Sequence, residues 1–563
     1  PAWVTHAVLP GSLSPEGLSF LEARNSPSGR AQIVVANEVS NTQDILDFEA
    51  LLASAAPGAA GSFTPTMIRD LAGGPNLQVT SLITVGEVTN GLLPGSSVYV
   101  APGIFDGMGV FDNNDGTFSL LVNHELGNTA GSQMAVAGLN PAVAGARVSR
   151  FIVAKDSDNN AANGYQPRVL SGGLAYDRVV SSDPAFAKGG FNRFCSANLA
   201  PAGQFSCRGF SDSLFLLGEE TSNGRFFVLD PASRSLVHVP AFGLGGWESA
   251  TLVDTGNANT VAALLFDDSG GAVLYLWVGQ KQAGSADLLE RNGLAASSGR
   301  LYAWKADAIS PNPDGLAGVA LNAPVAGGWV ELGSGSQIAA LTTAAAQRSL
   351  ATAQGAMTFT RIEDGDVNPL SGRQVVFNST GGSGTDLYGS TYGMDLAASF
   401  GSDGLLLSGP ATTPLRVLVD SDRLTGLDRQ NGLRNPDNVV WAGDGQIYLQ
   451  EDRSLPSGSA DGAFGAQEAS IWKLDPITGA TSRWAQIDRS AVPTAYGQSD
   501  SAPADIGNWE SSGILDLSPI YGAAPGSMFL ANVQAHSLSN GNILGSGYLV
   551  EGGQLVVLQA ALL

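Results

Sequence analysis

Short apolar runs, punctuated by glycine and proline, recur from one end of the chain to the other. Residues 117–122, 213–217, 357–359, 439–441 and 527–533 are examples. With 72 glycines and 28 prolines spread throughout, the pattern predicts an all-β protein with many turns. Two segments break it. Residues 42–55 place Ile45, Leu46, Phe48, Leu51 and Leu52 on one helical face behind an N-cap candidate at Thr42, and residues 337–354 are rich in alanine. Both are expected to be helices packed on the outside of the β structure. Residues 156–164 and 454–468, rich in Asp, Ser and other small residues, read as long hairpin loops.

Two phrases repeat. Gly224-Arg225-Phe226-Phe227-Val228-Leu229-Asp230 is matched by Gly299-Arg300-Leu301-Tyr302-Ala303-Trp304-Lys305-Ala306-Asp307 and by Ser470-Ile471-Trp472-Lys473-Leu474-Asp475, each a strand running to an aspartate at a turn. Trp247-Glu248-Ser249-Ala250-Thr251-Leu252-Val253-Asp254 is matched by Trp509-Glu510-Ser511-Ser512-Gly513-Ile514-Leu515-Asp516. Ordered recurrence of different strand phrases is what a β-propeller produces, one four-stranded blade per repeat. Six or seven blades with insertions fit the length, and a pair of β-sandwiches is the other architecture the pattern allows. No linker divides the chain, so residues 95–563 are expected to form the propeller. Residues 1–94 would be an N-terminal extension carrying the first helix and packed on it.

Composition narrows the function. The 563 residues are 44% hydrophobic, enough for a large packed core, and no apolar run approaches the ~18 residues of a membrane helix. A net charge of −23 argues against nucleic acid, whose phosphates need clustered Lys and Arg, and suits bound cations or a solvated acidic surface. The two cysteines, Cys195 and Cys207, flank a Gly- and Pro-containing segment, so a local disulfide is expected. A thiolate metal ligand is the alternative.

Acidic residues concentrate where apolar strands end. Asn123-His124-Glu125, Gly218-Glu219-Glu220, Arg361-Ile362-Glu363-Asp364 and Gln450-Glu451-Asp452 lie about 90 to 140 residues apart in a chain with only 14% charged residues. Neighbouring carboxylates at the mouth of an apolar strand are costly unless hydrated, paired or metal-bound. Strand ends from several repeats that converge on one axis would make a metal site. Alternation along a strand turns only one of His124 and Glu125, and one of Glu219 and Glu220, toward such an axis. Arg361 and Glu363 are two apart, so both can face one cavity, where a guanidinium beside a cation-holding carboxylate would suit a phosphoryl oxygen. A plain same-face salt bridge is the competing reading. Glu248 and Glu510 each follow a tryptophan, which would equally fit a recurring packing device. Asp437 and His536 complete the candidates as oxygen and imidazole ligands at strand ends, whereas His6 and His238 are expected to be incidental.

These motifs, in this order, resemble the PhoX-type alkaline phosphatases, secreted bacterial β-propeller enzymes. Asp106-Gly107-Met108 with Asn123-His124-Glu125, then Glu219-Glu220, Trp247-Glu248, Arg361-Ile362-Glu363, Pro436-Asp437-Asn438 and Gln534-Ala535-His536 carry the resemblance over about residues 95–540. It implies a carboxylate-rich cluster of iron and calcium ions in the propeller channel, a small-molecule phosphate ester as substrate, and secretion or a periplasmic location. It also implies a cysteine ligand to iron, falling on Cys195. The chain departs from the family's pattern at Ile362, where the family has proline, and at His536, displaced by one position.

The resulting expectation is a metal-dependent phosphoric-ester hydrolase, either phosphatase or phosphotriesterase. Two or more calcium, iron or manganese ions would be held by His124, Glu125, Glu219, Glu220, Glu248, Glu363, Asp437 and His536, and a metal-bound hydroxide would attack phosphorus. Arg361 would be the catalytic cation. A calcium-stabilised binding propeller and a calcium-dependent lactonase or esterase are the rival readings.

Overall fold

A computed structural model describes residues 64–560, apart from 72–73, 75, 93–96, 158–163, 408–412 and 454–466, together with three backbone strands at 15–21, 32–37 and 42–47. Six strands line the centre of the molecule: β1 Phe105–Asp112, β2 Phe194–Ala200, β3 Leu244–Val253, β4 Ile362–Val367, β5 Pro436–Trp441 and β6 Trp509–Asp516. Each touches the next, and β6 touches β1, so they form a ring. Each also pairs antiparallel with a second strand outside it: Thr117–His124, Leu214–Asp230, Thr260–Asp267, Gln374–Ser379, Ile447–Glu451 and Met528–Ala535. Further antiparallel strands carry the sheets outward. The architecture is mostly β, with its sheets radiating from the ring.

Burial explains why these sequences become strands here. Every residue of Thr260–Asp267 is buried, and Phe118, Leu120, Leu121 and Val122 are fully so, because sheets packed face to face cover both sides of their inner strands. Each such side chain contributes roughly 1.5–3 kcal/mol. Trp247 and Trp509, the tryptophans of the repeated phrase, are both fully buried at the entry of β3 and β6. Trp247 packs edge-on against Phe226 and Tyr275 at 6.2 and 5.9 Å.

The N-terminal part knits the ring together. Leu77–Thr84 pairs with the C-terminal strand Gly552–Ala560, Ile68–Arg69 pairs with Thr481–Ile487, and Val88–Gly91 lies parallel to Arg168–Leu174. Residues 64–91 are thus strands of the central sheets, not only an appendage to them. The expected first helix is corrected by the backbone: Thr42–Asp47 is a strand paired antiparallel with Gln32–Asn37, and residues 48–55 lie outside the described ones. A neighbouring strand rich in Val and Ile outbids a helical spacing that local periodicity alone supports. The alanine-rich segment is helical, as two pieces. Gly335–Ala339 is opened by a Ser334–Gln337 capping box, and Ala344–Ala353 by Thr343. The core of both presumed hairpin loops falls outside the described residues.

Candidate metal centre

Strand register makes the six units directly comparable. Phe105 faces His124, Phe194 faces Glu219, Trp247 faces Asp267, Ile362 faces Ser379, Pro436 faces Glu451 and Trp509 faces Ala535. One residue beyond these pairs on the inner strands stand Asp106, Cys195, Glu248, Glu363, Asp437 and Glu510. One residue beyond on the second strands stand Glu125, Glu220, Asp268, Thr380, Asp452 and His536. Two concentric rings result, and eleven of their twelve positions carry a carboxylate, thiol or imidazole.

Two backbone devices aim these side chains. In five units the inner strand inserts one extra residue immediately after the ring position, as where Phe105 to Met108 spans only His124 to Val122. Such a bulge bends the strand and re-aims its side chains. In four units the residue before the pair is left-handed without being glycine: Ile104, Arg193, Arg361 and Asn435, with φ of 54°, 55°, 56° and 44°. Each costs about 1–2 kcal/mol and persists because its carbonyl is held. Those four carbonyls accept the amides of Glu125, Glu220, Thr380 and Asp452 at 2.8–3.1 Å.

The result is a crowded polar centre. Ligand atoms of Asp106, Glu125 and Cys195 lie within 4.8 Å of one another, as do those of Cys195, Glu220 and Glu248, and those of Glu248, Asp268 and Glu363. Cys195 Sγ donates to Asp106 Oδ2 at 3.2 Å, and Gln534 Nε2 donates to Asp106 and Glu125 at 2.9 and 3.2 Å. Two guanidiniums stand at the edge. Arg193 pairs with Glu125 and Glu220, while Arg361 pairs with Asp268 at 2.8 Å and Glu363 at 2.8 Å. Their side chains are 46% and 29% exposed, so both open toward solvent. On the far side His536 sits between Glu510 at 3.4 Å and Glu551 at 2.9 Å.

Electrostatics argue for missing positive charge. Burial, reinforced by neighbouring carboxylates, pushes Asp106, Glu220, Glu248 and Asp437 well above the usual acid range. Burial does the same to Glu363 despite Arg361, and it pushes Glu510 up to about 7 and the Cys195 thiol well up. Burial would lower His536, but Glu551 and Glu510 outweigh it and hold the imidazole well above its ordinary value. Buried oxygens Oε1 of Glu248 and Oδ1 of Asp437 have no hydrogen-bond partner. Orphaned buried carboxylate oxygens are expensive unless a cation satisfies them. An oxygen-dominated donor set with one thiol fits hard cations such as calcium and manganese and also iron.

Most of the residues named from sequence come together here: Glu125, Glu220, Glu248, Glu363 and Asp437 stand in the rings, with His536 opposite and Arg361 at the rim. Two do not. His124 is fully buried beside Phe105, its ring nitrogens bonded to Gly103 O at 3.1 Å and Ser149 Oγ at 2.5 Å, and burial lowers it to about 3. Glu219 accepts the amides of Asn192 and Arg225 instead of facing the rings. The disulfide is also corrected. Both cysteines are free, Cys195 being buried in β2 against Asp106 while Cys207 is exposed in the turn beyond it. Arg361 reaches Glu363 from a left-handed residue before β4, not from the strand itself. Arg193 and Asp268 belong to the site although the sequence reading did not name them, and Asp106 and Asp452, quoted there only within motifs and stretches, join them as ring residues. Asp268 ends the buried run Thr260–Asp267 and so carried the same strand-end signal as the others.

Comparison with known proteins bears on the family and the fold. The family described as Alkaline phosphatase PhoX matches residues 201–485, just over half of the chain. Among solved structures, Pseudomonas fluorescens PhoX in complex with vanadate, a transition state analogue, is similar with a TM-score of 0.58 at 16% identity, covering 90% of this chain and 98% of that one. A protein of unknown function from Dyadobacter fermentans (TM-score 0.36, 8% identity, covering 86% and 99%) is more distant. So is a putative 6-phosphogluconolactonase from Bacteroides uniformis (TM-score 0.28, 10% identity, covering 82% and 94%). No curated protein sequence matches the chain. Among the described residues no helix is long and apolar enough to cross a membrane. The match over residues 201–485 covers just over half of the chain and shows its family: the chain belongs to the PhoX alkaline phosphatase family.

Proposed function

We propose that the double ring is the active centre of a metal-dependent phosphomonoesterase. The observation that carries this reading is the pairing of buried carboxylates, some with orphaned oxygens, with two half-open arginines at equivalent strand entries. Asp106, Glu125, Cys195, Glu220, Glu248, Asp268 and Glu363 would hold the cations, with Asp437 adding an oxygen from β5. Bound there, two or more divalent or trivalent ions would supply Lewis acidity toward a phosphoryl oxygen and toward water.

The chain's own residues do the rest. Arg361 and Arg193 now balance Asp268, Glu363, Glu125 and Glu220. Once cations neutralise those acids, the guanidinium forks are freed to face a dianionic phosphate, whose oxygen pairs they fit bidentately. The buried walls around Trp247 and Trp509 keep the ring residues in one rotamer and exclude bulk water, which strengthens each charge interaction.

A neutral triester does not need the arginines, and this separates the two substrate classes. With the protein loaded with calcium, manganese or iron, chromogenic monoesters should turn over faster than di- or triesters. Arg361→Ala should cost monoester turnover about 10²–10³-fold and leave any triester turnover within a fewfold. Equal loss on both substrates would reduce Arg361 to a charge-balancing role. No turnover of any ester by the loaded protein would defeat the enzyme reading altogether.

A further inference from the structure

The rings need walls that hold them, and those walls carry a repeated feature. On each second strand, one residue before the register pair, stand Asn123, Gly218, Phe266, Asn378, Gln450 and Gln534. Four of the six are amides, all of them completely buried. Each reaches the inner strand of the following unit. Asn123 donates to the carbonyl of Cys195 at 2.8 Å and Asn378 to that of Asp437 at 2.7 Å. Gln450 donates to Ser511 Oγ at 2.8 Å, beside Glu510, and Gln534 to the Asp106 carboxylate at 2.9 Å.

A physical need explains this placement. The bulge that aims a ring residue also breaks the ladder there. Among the described residues no strand pairs with the other edge of the inner strand at the ring residue itself, although β3 pairs with Leu214–Asp230 just before it. The carbonyl of the ring residue then wants a donor, since a buried unpaired carbonyl costs about 1–3 kcal/mol. A side-chain amide from the preceding unit supplies one and ties neighbouring units together at the height of the rings. The two units without an amide close the gap by contact. A Cβ at Gly218 would lie 2.2 Å from Trp247, and the Phe266 ring lies 2.3 Å from where a Cβ on Gly365 would be.

We propose that Asn123, Asn378, Gln450 and Gln534 are positioning residues that fix the ring side chain of the following unit for cation binding. This inference rests on the metal-dependent reading above. Asn123 and Asn378 touch only main chain of the ring residues, so they act through Cys195 and Asp437 without being ligands.

The test measures cation binding without substrate, by chelator competition with calcium and with manganese, alongside thermal unfolding of the metal-free protein. Asn123→Leu and Asn378→Leu keep the branched skeleton of the side chain and remove the donor. Asn123→Leu acts through Cys195, which two of the ligand groups share, and should weaken cation binding by about 10–100-fold, the usual effect of losing an outer partner of a ligand. Asn378→Leu acts through Asp437, outside those groups, and should weaken it by up to about tenfold. Asn378→Gln, which keeps an amide, should recover part of that loss. Asn292→Leu is the control: Asn292 is a fully buried amide that bonds Asp212, Ser211 and Leu288, away from the rings, and its loss should lower the melting temperature while leaving cation affinity intact. Where a leucine variant does not fold, Asn123→Ser and Asn378→Ser carry the same expectation. Wild-type affinity in the ring-facing variants, or equal loss in Asn292→Leu, would overturn the positioning role alone. A wild-type protein that binds no cation would overturn both this role and the reading it rests on.

Discussion

The two halves of the double ring share one strand pairing, though β6 lacks both the bulge after its ring residue and the left-handed residue before it, and they differ in what they present. From β1 to β4 the ring positions form three overlapping triads, with Cys195 and Glu248 each shared by two, and both arginines stand on this side. Around β5 and β6 the same positions hold Asp437, Asp452, Glu510 and His536, and no triad forms among the described residues. There an imidazole, held between Glu510 and Glu551, already balances part of the acid. Shared strand pairing with unequal crowding teaches that the sheet sets where side chains meet, while the residue types and the bulges at equivalent positions decide which half brings enough ligand atoms together to hold a cation.

The sharpest way to break that contrast is Glu248→Gln. Glu248 serves two triads and has an orphaned oxygen, so losing its charge should cost at least about a thousandfold in turnover, roughly 4 kcal/mol. Cation stoichiometry, measured by elemental analysis, should fall as well. The same change should raise the melting temperature of the metal-free protein, because it removes an uncompensated buried acid. Asp437→Asn, in the other half, should cost only about tenfold and leave stoichiometry nearer the wild type. Equal losses from both variants would erase the distinction between the halves.

The metal-free protein should also respond to pH in a way that sharpens the comparison. Glu510 is pushed up to about 7 by burial, Asp364 to about 7 and Asp366 to about 6. Raised carboxyl values mean that the folded state binds more protons than the unfolded chain. Stability is therefore full below the unfolded values near 4 and is lost as pH climbs through about 6–7, by a few kcal/mol in order of magnitude. Urea melts between pH 4 and 8 in chelator should show that fall. Adding calcium or manganese at pH 8 should restore much of it, since cations then stand where protons stood.

Much of this was legible along the chain, and the exceptions have physical causes. Acids at the ends of apolar strands pointed to the site because charge is rarely left beside buried strands without a partner. The twin Trp-Glu phrases fall on equivalent ring positions in β3 and β6. Alternation told only that one of His124 and Glu125, and one of Glu219 and Glu220, would face the site, because adjacent side chains on a strand face opposite ways, and it did not choose between them. It could not foresee the bulges or the left-handed Arg193 and Arg361, because an inserted residue is visible only against a partner strand. Thr42–Asp47 was misread because a one-sided apolar spacing over a few residues does not show that the chain just before it, Gln32–Asn37, will pair with it as a strand. The amides at Asn123 and Asn378 gave no signal, as their contacts run between units 59 or more residues apart.

The two cysteines make the smallest test and the cleanest one. Spacing alone suggested a bond between them, yet the fold gives them opposite surroundings: Cys195 sits at a ring position against Asp106, whereas Cys207 is exposed, at a left-handed turn residue with φ of 71°. Cys207→Ser exchanges one exposed, unpaired side chain for another of similar size, and stability should stay within about 0.5 kcal/mol of wild type. Cys195→Ser replaces a shared donor by a weaker one and should lower cation affinity and turnover together. A disulfide would behave otherwise, because removing either partner would then destabilise the protein similarly, by about 2–4 kcal/mol. Melting curves of the two variants, run with and without reductant, decide whether Cys195 belongs with the ring or with Cys207.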